Sequence, residues 1–239
     1  MSEPVTFPPL MSGEAAGPGQ DPFDLACQKA ELGVDAGLVV YQLGTDYLRA
    51  ALVLAPEVPL EKAMAMLPVC GLGFQNALGA LAPPEVAVHL DWDGGLRING
   101  ARCGGLCVAA SHEDPTEQPD WLVIGLTLPL WPEGDGDAGD AGDSPDQTAL
   151  YAEGCAEVSA PRLLESWTRH CLHWINRWDE GDLKTLHADW RGLAHGIGEE
   201  VSRNGLQGSF LGVDEDFGML LRDETTTHLI PLSSVLLRD

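Results

Sequence analysis

The chain of 239 residues carries 13 basic and 37 acidic side chains, a formal charge of −24, with 44% apolar residues and 7 Trp. This length and apolar share suffice for a full core in one large domain, or one large and one small. The acidic balance opposes binding to nucleic acid or an anionic membrane surface. No apolar run approaches the ~20 residues that cross a bilayer. The start lacks the basic and apolar regions of a secretory signal, and 6 scattered Cys read as reduced thiols, so a cytoplasmic location is expected.

Residues 1–20, rich in Pro, Gly and Ser without a sustained period, are expected to run as a flexible N-terminal arm over the surface. Asp21-Pro22 then opens a helix with Phe23, Ala26, Cys27 and Ala30 on one face, ended by Gly33. The runs 37–43 and 48–54 are strands joined by the short connection Gly44-Thr45-Asp46-Tyr47. Over 60–81, Leu60, Met64, Leu67, Gly71, Phe74, Leu78 and Leu81 recur at steps of three and four, a helical stripe that Pro68 is expected to kink. Met64 and Met66 read as core filler.

The stretch 88–111 organises the rest. Two apolar runs, 86–92 and 96–98, are joined by Asp93-Gly94-Gly95, a hairpin signal. Asn99-Gly100 then turns the chain through Arg102, Cys103, Gly104 and Gly105 into another apolar run, placing a lone cation and two residues without side chains where a strand begins. A small ligand could lie there against backbone. Trp92 reads first as a core residue. Arg102 fits either a strand-end cation paired with an acidic neighbour or a ligand contact. Gly104 and Gly105 serve either close strand packing or ligand access, and Cys103 and Cys107 are read on one strand face.

Residues 120–131 form another buried strand. The run 133–146, dominated by Asp and Gly, reads as a solvated loop. Its Asp135, Asp137 and Asp140 imitate a calcium loop, but Asp146 stands where a bidentate Glu is wanted. Ser159 and Pro161 start a helix with Leu164, Trp167, Cys171, Trp174, Ile175 and Trp178 as its stripe, and a second helix from Asp182 turns Leu183, Leu186 and Trp190 inward. His170 and His173 make only half a metal site, so no metal is assigned. From Gly205 to the end, short apolar runs between acidic and Thr-rich turns indicate a small β-barrel. The order of elements predicts an α+β fold with a largely antiparallel sheet.

These landmarks resemble, in order, those of the biotin/lipoate protein ligases. Asp91-Trp92-Asp93-Gly94-Gly95 lies where the family has Lys-Trp-Pro-Asn-Asp, Arg102 stands at its catalytic Lys, and Gly105-Leu106 at its Gly-Ile. Gly125 keeps a glycine of Gly-Ile-Gly-Ile-Asn-Val, with Thr127 and Pro129 replacing the second Gly and the Asn. Thr148-Ala149-Leu150 with Glu153-Gly154 is similar to Thr-Ser-Leu-x-x-Glu-x-Gly. Trp178, Gly181, Leu186, Trp190, Gly198 and Val201 resemble the end of the catalytic domain. Gly208, Gly212, Val213, Asp214, Gly218 and Leu220 resemble its C-terminal Src-homology-3-like domain. The family's Ser-Thr-Asn is replaced by Asp21-Pro22-Phe23, and its Arg-rich loop is missing between Gln42 and Leu48.

The resemblance implies a mixed, largely antiparallel sheet flanked by helices over 21–201 and a small β-barrel over 205–239. It implies a ligand site at Trp92, Arg102, Cys103, Gly104, Gly105 and Gly125, with Arg102 in the catalytic position. Family members join a carboxylic acid to ATP as an acyl-adenylate and pass the acyl group to a carrier-protein lysine, so biotin, lipoate or octanoate and a carrier protein are the implied partners. ATP and magnesium are expected only if this activity is retained. The favoured expectation is a small-carboxylate or acyl-adduct binding protein with weak or lost adenylation. An active ligase with atypical residues and a protein-interaction module reusing the fold are the alternatives.

Overall fold

The computed structural model describes residues 5–132 and 146–237. Among them β1 (Ser12–Ala15), β2 (Leu38–Leu43), β3 (Tyr47–Leu54), β4 (Val88–Leu90), β5 (Gly95–Ile98), β6 (Ala101–Ala110) and β7 (Leu122–Pro129) build one sheet in the order β1-β2-β3-β7-β6-β5-β4. All neighbours are antiparallel except β1 with β2. A second sheet holds β8 (Glu200–Arg203), β9 (Leu206–Val213), β10 (Met219–Arg222) and β11 (Thr227–Ile230), ordered β11-β10-β9-β8. The helices are α1 (Pro22–Glu31), α2 (Leu60–Ala63), α3 (Met66–Gly79), α4 (Ala160–Asp179) and α5 (Leu183–Leu193). None among the described residues is long and apolar enough to cross a membrane.

Strand alternation sorts side chains onto two faces of the large sheet. On one face Val39, Leu48, Leu52, Leu96, Val108 and Ile124 join residues of α2 to α5 in the main core. On the other, Val40, Ala51, Val53 and Val123 meet Ala26 and Ala30 of α1 in a smaller cluster. Asp21 caps α1, its carboxylate accepting from the amides of Phe23 and Asp24 at 2.8 and 3.3 Å. A single short helix leaves much of this second face open, and Arg102 and Thr127 are exposed on it.

Several expectations are corrected. Within the arm, Ser12–Ala15 pairs with Leu38–Tyr41 as a parallel edge strand, and the Glu165 carboxylate accepts from the Thr6 amide at 2.8 Å. A Pro-, Gly- and Ser-rich segment gives no periodicity, yet its backbone can still pair at a sheet edge. The helix over 60–81 breaks at Met64 and Ala65, before Pro68 rather than at it. Lacking an N–H, Pro68 cannot bond the Met64 carbonyl, and the Leu67 amide takes it at 3.0 Å in a tighter turn. α3 is buried on nearly all sides between the sheet and α4, so it shows no stripe. Leu183 is 41% exposed, while Leu186 and Trp190 are buried. The small C-terminal domain expected from the sequence is the four-stranded antiparallel sheet, which takes in Glu200–Arg203 through its pairing with β9. Except for Asp146, the acidic run with Asp135, Asp137 and Asp140 lies outside the described residues.

Candidate functional site

The open face owes its floor to the register of five strands. Gln42 pairs with Arg49, Arg49 with Thr127, Thr127 with Gly105, and Gly105 with Gly95. These positions share the face that α1 leaves uncovered. One row nearer the helix, Ala51 pairs with Gly125 and Gly125 with Cys107. The two rows form a narrow strip in which Thr127 is exposed and Gly105 partly so, while Asp91 and Arg102 cover Gly95 and the space over Gly125 is filled by Phe23 and Cys107. The Phe23 ring bounds the strip on the helix side: a Cβ on Gly125 would lie 2.5 Å from it and 2.6 Å from Cys107 Sγ.

At the other end stands a cluster of charges built by the β4–β5 turn. The Asp91 amide donates to the Gly95 carbonyl at 2.8 Å, Gly94 adopts φ +92°, and Asp93 Oδ1 accepts from the Gly95 amide at 3.3 Å. Both carboxylates therefore face the strip. Asp91 Oδ1 accepts from Arg97 Nε at 2.7 Å and lies 3.2 Å from His195 Nδ1, and its Oδ2 is 3.9 Å from Arg102 Nη1. Asp93 lies 3.5 Å from Arg102 Nη2 and accepts from Arg203 Nη2 of β8 at 2.8 Å. Three guanidinium groups thus meet two carboxylates. Arg102 is the loosest member, with the longest contacts and a side chain 44% exposed.

The segment after residue 145 fixes the Arg102 backbone. Its amide donates to the Asp146 carbonyl at 2.8 Å, and its carbonyl accepts from the Thr148 amide at 2.9 Å. Glu153 ties this segment to the β5–β6 turn, accepting from Thr148 Oγ1 at 2.6 Å and from Asn99 Nδ2 at 2.9 Å. The short motif with Thr148 and Glu153 is thereby a clamp on the strand that carries Arg102.

The structure brings Arg102, Gly105 and Gly125 to the open face together with Gly95. It sends Trp92 and Cys103 the other way. Cys103 is fully buried in the main core, where desolvation pushes its thiol up to about 12. Cys107 lies on the opposite face, beside Gly125, and burial pushes its thiol up to about 11. The reading of both cysteines on one face fails because Gly104, at φ +72°, interrupts the strand alternation, and the β5–β6 register shifts beside it. A Cβ on Gly104 would run into the Thr127 carbonyl oxygen, and one on Gly105 would lie 3.1 Å from the Gly94 carbonyl oxygen. Both glycines serve close strand packing.

Trp92 closes the helical side of the hairpin. With Leu67, Pro68, Gly71, Trp190 and Phe217 it surrounds a cavity of about 10 Å³, room for one water molecule. Trp92 Nε1 donates to the Phe217 carbonyl at 2.7 Å, and the Phe217 ring stacks on His187 with centroids 4.0 Å apart. Phe217 of the C-terminal domain plugs this space.

Sequence reasoning missed Arg49, Arg97, His195 and Arg203. The first carried a signal, as the single charge in an otherwise apolar strand; the others reach the site through pairings the sequence does not display. Among the described residues no group of three or more His, Cys, Asp or Glu could hold a metal ion.

A helix-backed mixed sheet with an open glycine strip and a small C-terminal sheet defines a ligase-type α+β protein. The model of the biotin/lipoate A/B protein ligase family matches residues 7–192, and the chain belongs to that family. A domain of unknown function, DUF4444, matches residues 197–238. Among curated proteins no sequence matches. A biotin protein ligase-like protein of unknown function from Silicibacter sp. TM1040 is 80% identical, with a TM-score of 0.93 over 98% of this chain and 100% of that one. The biotin protein ligase of Aquifex aeolicus in complex with biotin and ATP is 16% identical, with a TM-score of 0.66 over 92% of this chain and 94% of that one, a likeness of fold. The Leishmania major biotin protein ligase in complex with biotinyl-5-AMP is 13% identical, with a TM-score of 0.56 over 93% and 99% of the two chains.

Proposed function

We propose that this protein binds a small carboxylate, of the class of biotin, lipoate or octanoate, on the open face at Thr127 and Gly105, with Arg102 as a ligand contact and with weak or lost ATP-dependent adenylation. One observation carries this reading: the cations around Arg102 are already matched by acids. Three guanidiniums against two carboxylates leave a single net positive charge, enough for one carboxylate. A nucleoside triphosphate brings about four negative charges, and its reaction with a carboxylate depends on prearranged cations at the phosphates. Asp91, where the family motif has Lys, adds a charge of the wrong sign. The short β2–β3 connection offers no further arginines before Arg49. The residues present do not suit ATP and magnesium.

The test is ATP–pyrophosphate exchange dependent on biotin, lipoate or octanoate, run beside a thermal-shift series with the same acids. The reading expects no exchange above background and a carboxylate-dependent rise in melting temperature that Arg102→Ala abolishes and Arg102→Lys partly keeps. Brisk exchange by the unaltered protein, lost in Arg102→Ala, would overturn it in favour of an active ligase.

A further inference from the structure

Arg49 is the unexplained charge on the open face. It sits half-buried in β3 between Gln42 and Thr127, among apolar residues, and its guanidinium carbon lies 4.9 Å from the centre of the Tyr47 ring. Among the described residues no carboxylate lies within 4.0 Å of it, although the chain carries 37 acidic side chains. The other cations of this face, Arg97, Arg102 and Arg203, each touch Asp91 or Asp93. An aromatic face holds a guanidinium in place without neutralising it, which leaves Arg49 oriented and able to accept an anion.

The register supplies the second part of the argument. Arg49 lies on β3 and Arg102 on β6, strands about 10 Å apart with β7 between them, and Arg102 stands three residues along β6 from Gly105, where its neighbour is Gln147. Between them the floor is Thr127 and Gly105, which pair with each other, and Gly105 puts no side chain in the way. The Arg102 guanidinium lies over Gly95, the partner of Gly105, and that of Arg49 over the Tyr47 ring. The Thr127 hydroxyl is exposed beside them as a neutral donor. The positive end of α1 does not compete, because Asp21 already accepts from its first free amides.

We propose that Arg49 is the second anchoring residue of this site: the acid group of a singly charged carboxylate sits above Thr127 and Gly105, held from one side by Arg49 and from the other by Arg102. The inference rests on the small-carboxylate reading above and extends it. It assigns the stronger contact to Arg49, which gives up no internal ion pair on binding, whereas Arg102 must loosen its contacts with Asp91 and Asp93. The ligand class that follows is a monocarboxylic acid with no second anion.

Isothermal titration of octanoate, biotin, lipoate and inorganic phosphate into the full chain tests this, using the unaltered protein, Arg49→Gln, Arg49→Lys and Arg102→Ala, with circular dichroism as the folding control. The expected result is carboxylate binding weakened about tenfold or more in Arg49→Gln, the loss of one charge-assisted contact, and largely retained in Arg49→Lys. Carboxylate binding unchanged in Arg49→Gln but lost in Arg102→Ala would overturn the role of Arg49 and leave the carboxylate reading standing. Phosphate binding that depends on Arg49, without carboxylate binding, would keep the anion site and overturn the carboxylate reading. Binding of neither probe by the unaltered protein would overturn both.

Discussion

Trp92 and Phe217, 125 positions apart in the chain, are joined by a buried hydrogen bond of 2.7 Å from indole to carbonyl. The carbonyl belongs to a residue held at φ +60°, a left-handed conformation that an aromatic side chain rarely adopts. Asp214 makes that conformation possible: its Oδ1 accepts from the amides of Asp216 and Gly218 at 3.0 and 2.7 Å, and its backbone carbonyl accepts from the Phe217 amide. The small sheet is fixed to the large one through a turn whose shape is set by one carboxylate.

Trp92→Phe keeps an aromatic ring in the core but removes the donor, together with part of the buried ring volume. The Phe217 carbonyl then stays buried without its partner, a cost of about 1–3 kcal/mol. Urea denaturation should show this loss with a single transition. A loss below about 0.5 kcal/mol would mean that the bond does not hold the two sheets together.

Gly104→Ala combines a left-handed backbone with a collision against the Thr127 carbonyl on the neighbouring strand. Gly100, at φ +96°, has nothing within 4 Å of an added Cβ and is the control for backbone strain alone. We expect Gly100→Ala to cost about 1–2 kcal/mol and Gly104→Ala clearly more, as backbone of β7 must move. Equal losses in thermal denaturation would show that the β6–β7 contact is slack.

Asp223 predicts a pH dependence. Hydrogen bonds from His228, at 2.6 Å, and from the amides of Thr226 and Thr225 hold its carboxyl well below the usual aspartate range. A lowered folded-state pKa means that the unfolded chain binds more protons at acid pH. The stabilisation is complete above the unfolded value of about 3.9 and is lost as pH falls through the folded one. The difference in Tm between the unaltered protein and Asp223→Asn should be full at pH 5 and close steadily below pH 4. A constant difference over that range would remove Asp223 from the acid limb.

Much of this architecture was legible in the residues. The hairpin around Asp93-Gly94-Gly95, the long strand after Arg102 and the apolar stripe of α4 follow from turn chemistry and periodicity, which act over a few neighbours. The landmarks from Asp91 to Gly218 gave the family by their order. What stayed hidden depends on register. Nothing near Arg49 in the chain says that it shares a row with Thr127, Gly105 and Gly95, and Arg203 reaches Asp93 from the second sheet. The cysteine faces were misread because a single left-handed glycine shifts every later residue of β6 to the other side. Asp91, which stands where the family motif has Lys, is engaged by Arg97 and stands beside His195, partners drawn from a neighbouring strand and from the chain beyond α5.

The strand Ser12–Ala15 takes no part in the site, yet it decides what the molecule presents to its neighbours. Without it, β2 would end the sheet with the unpaired backbone of Leu-Val-Val-Tyr, an apolar ribbon open to pairing with another chain. The segment that covers it is short, contains a glycine, and carries Glu14 in an ion pair with Lys29 at 2.9 Å. A segment without periodicity thus gives the sheet a short, charged border in place of an apolar one.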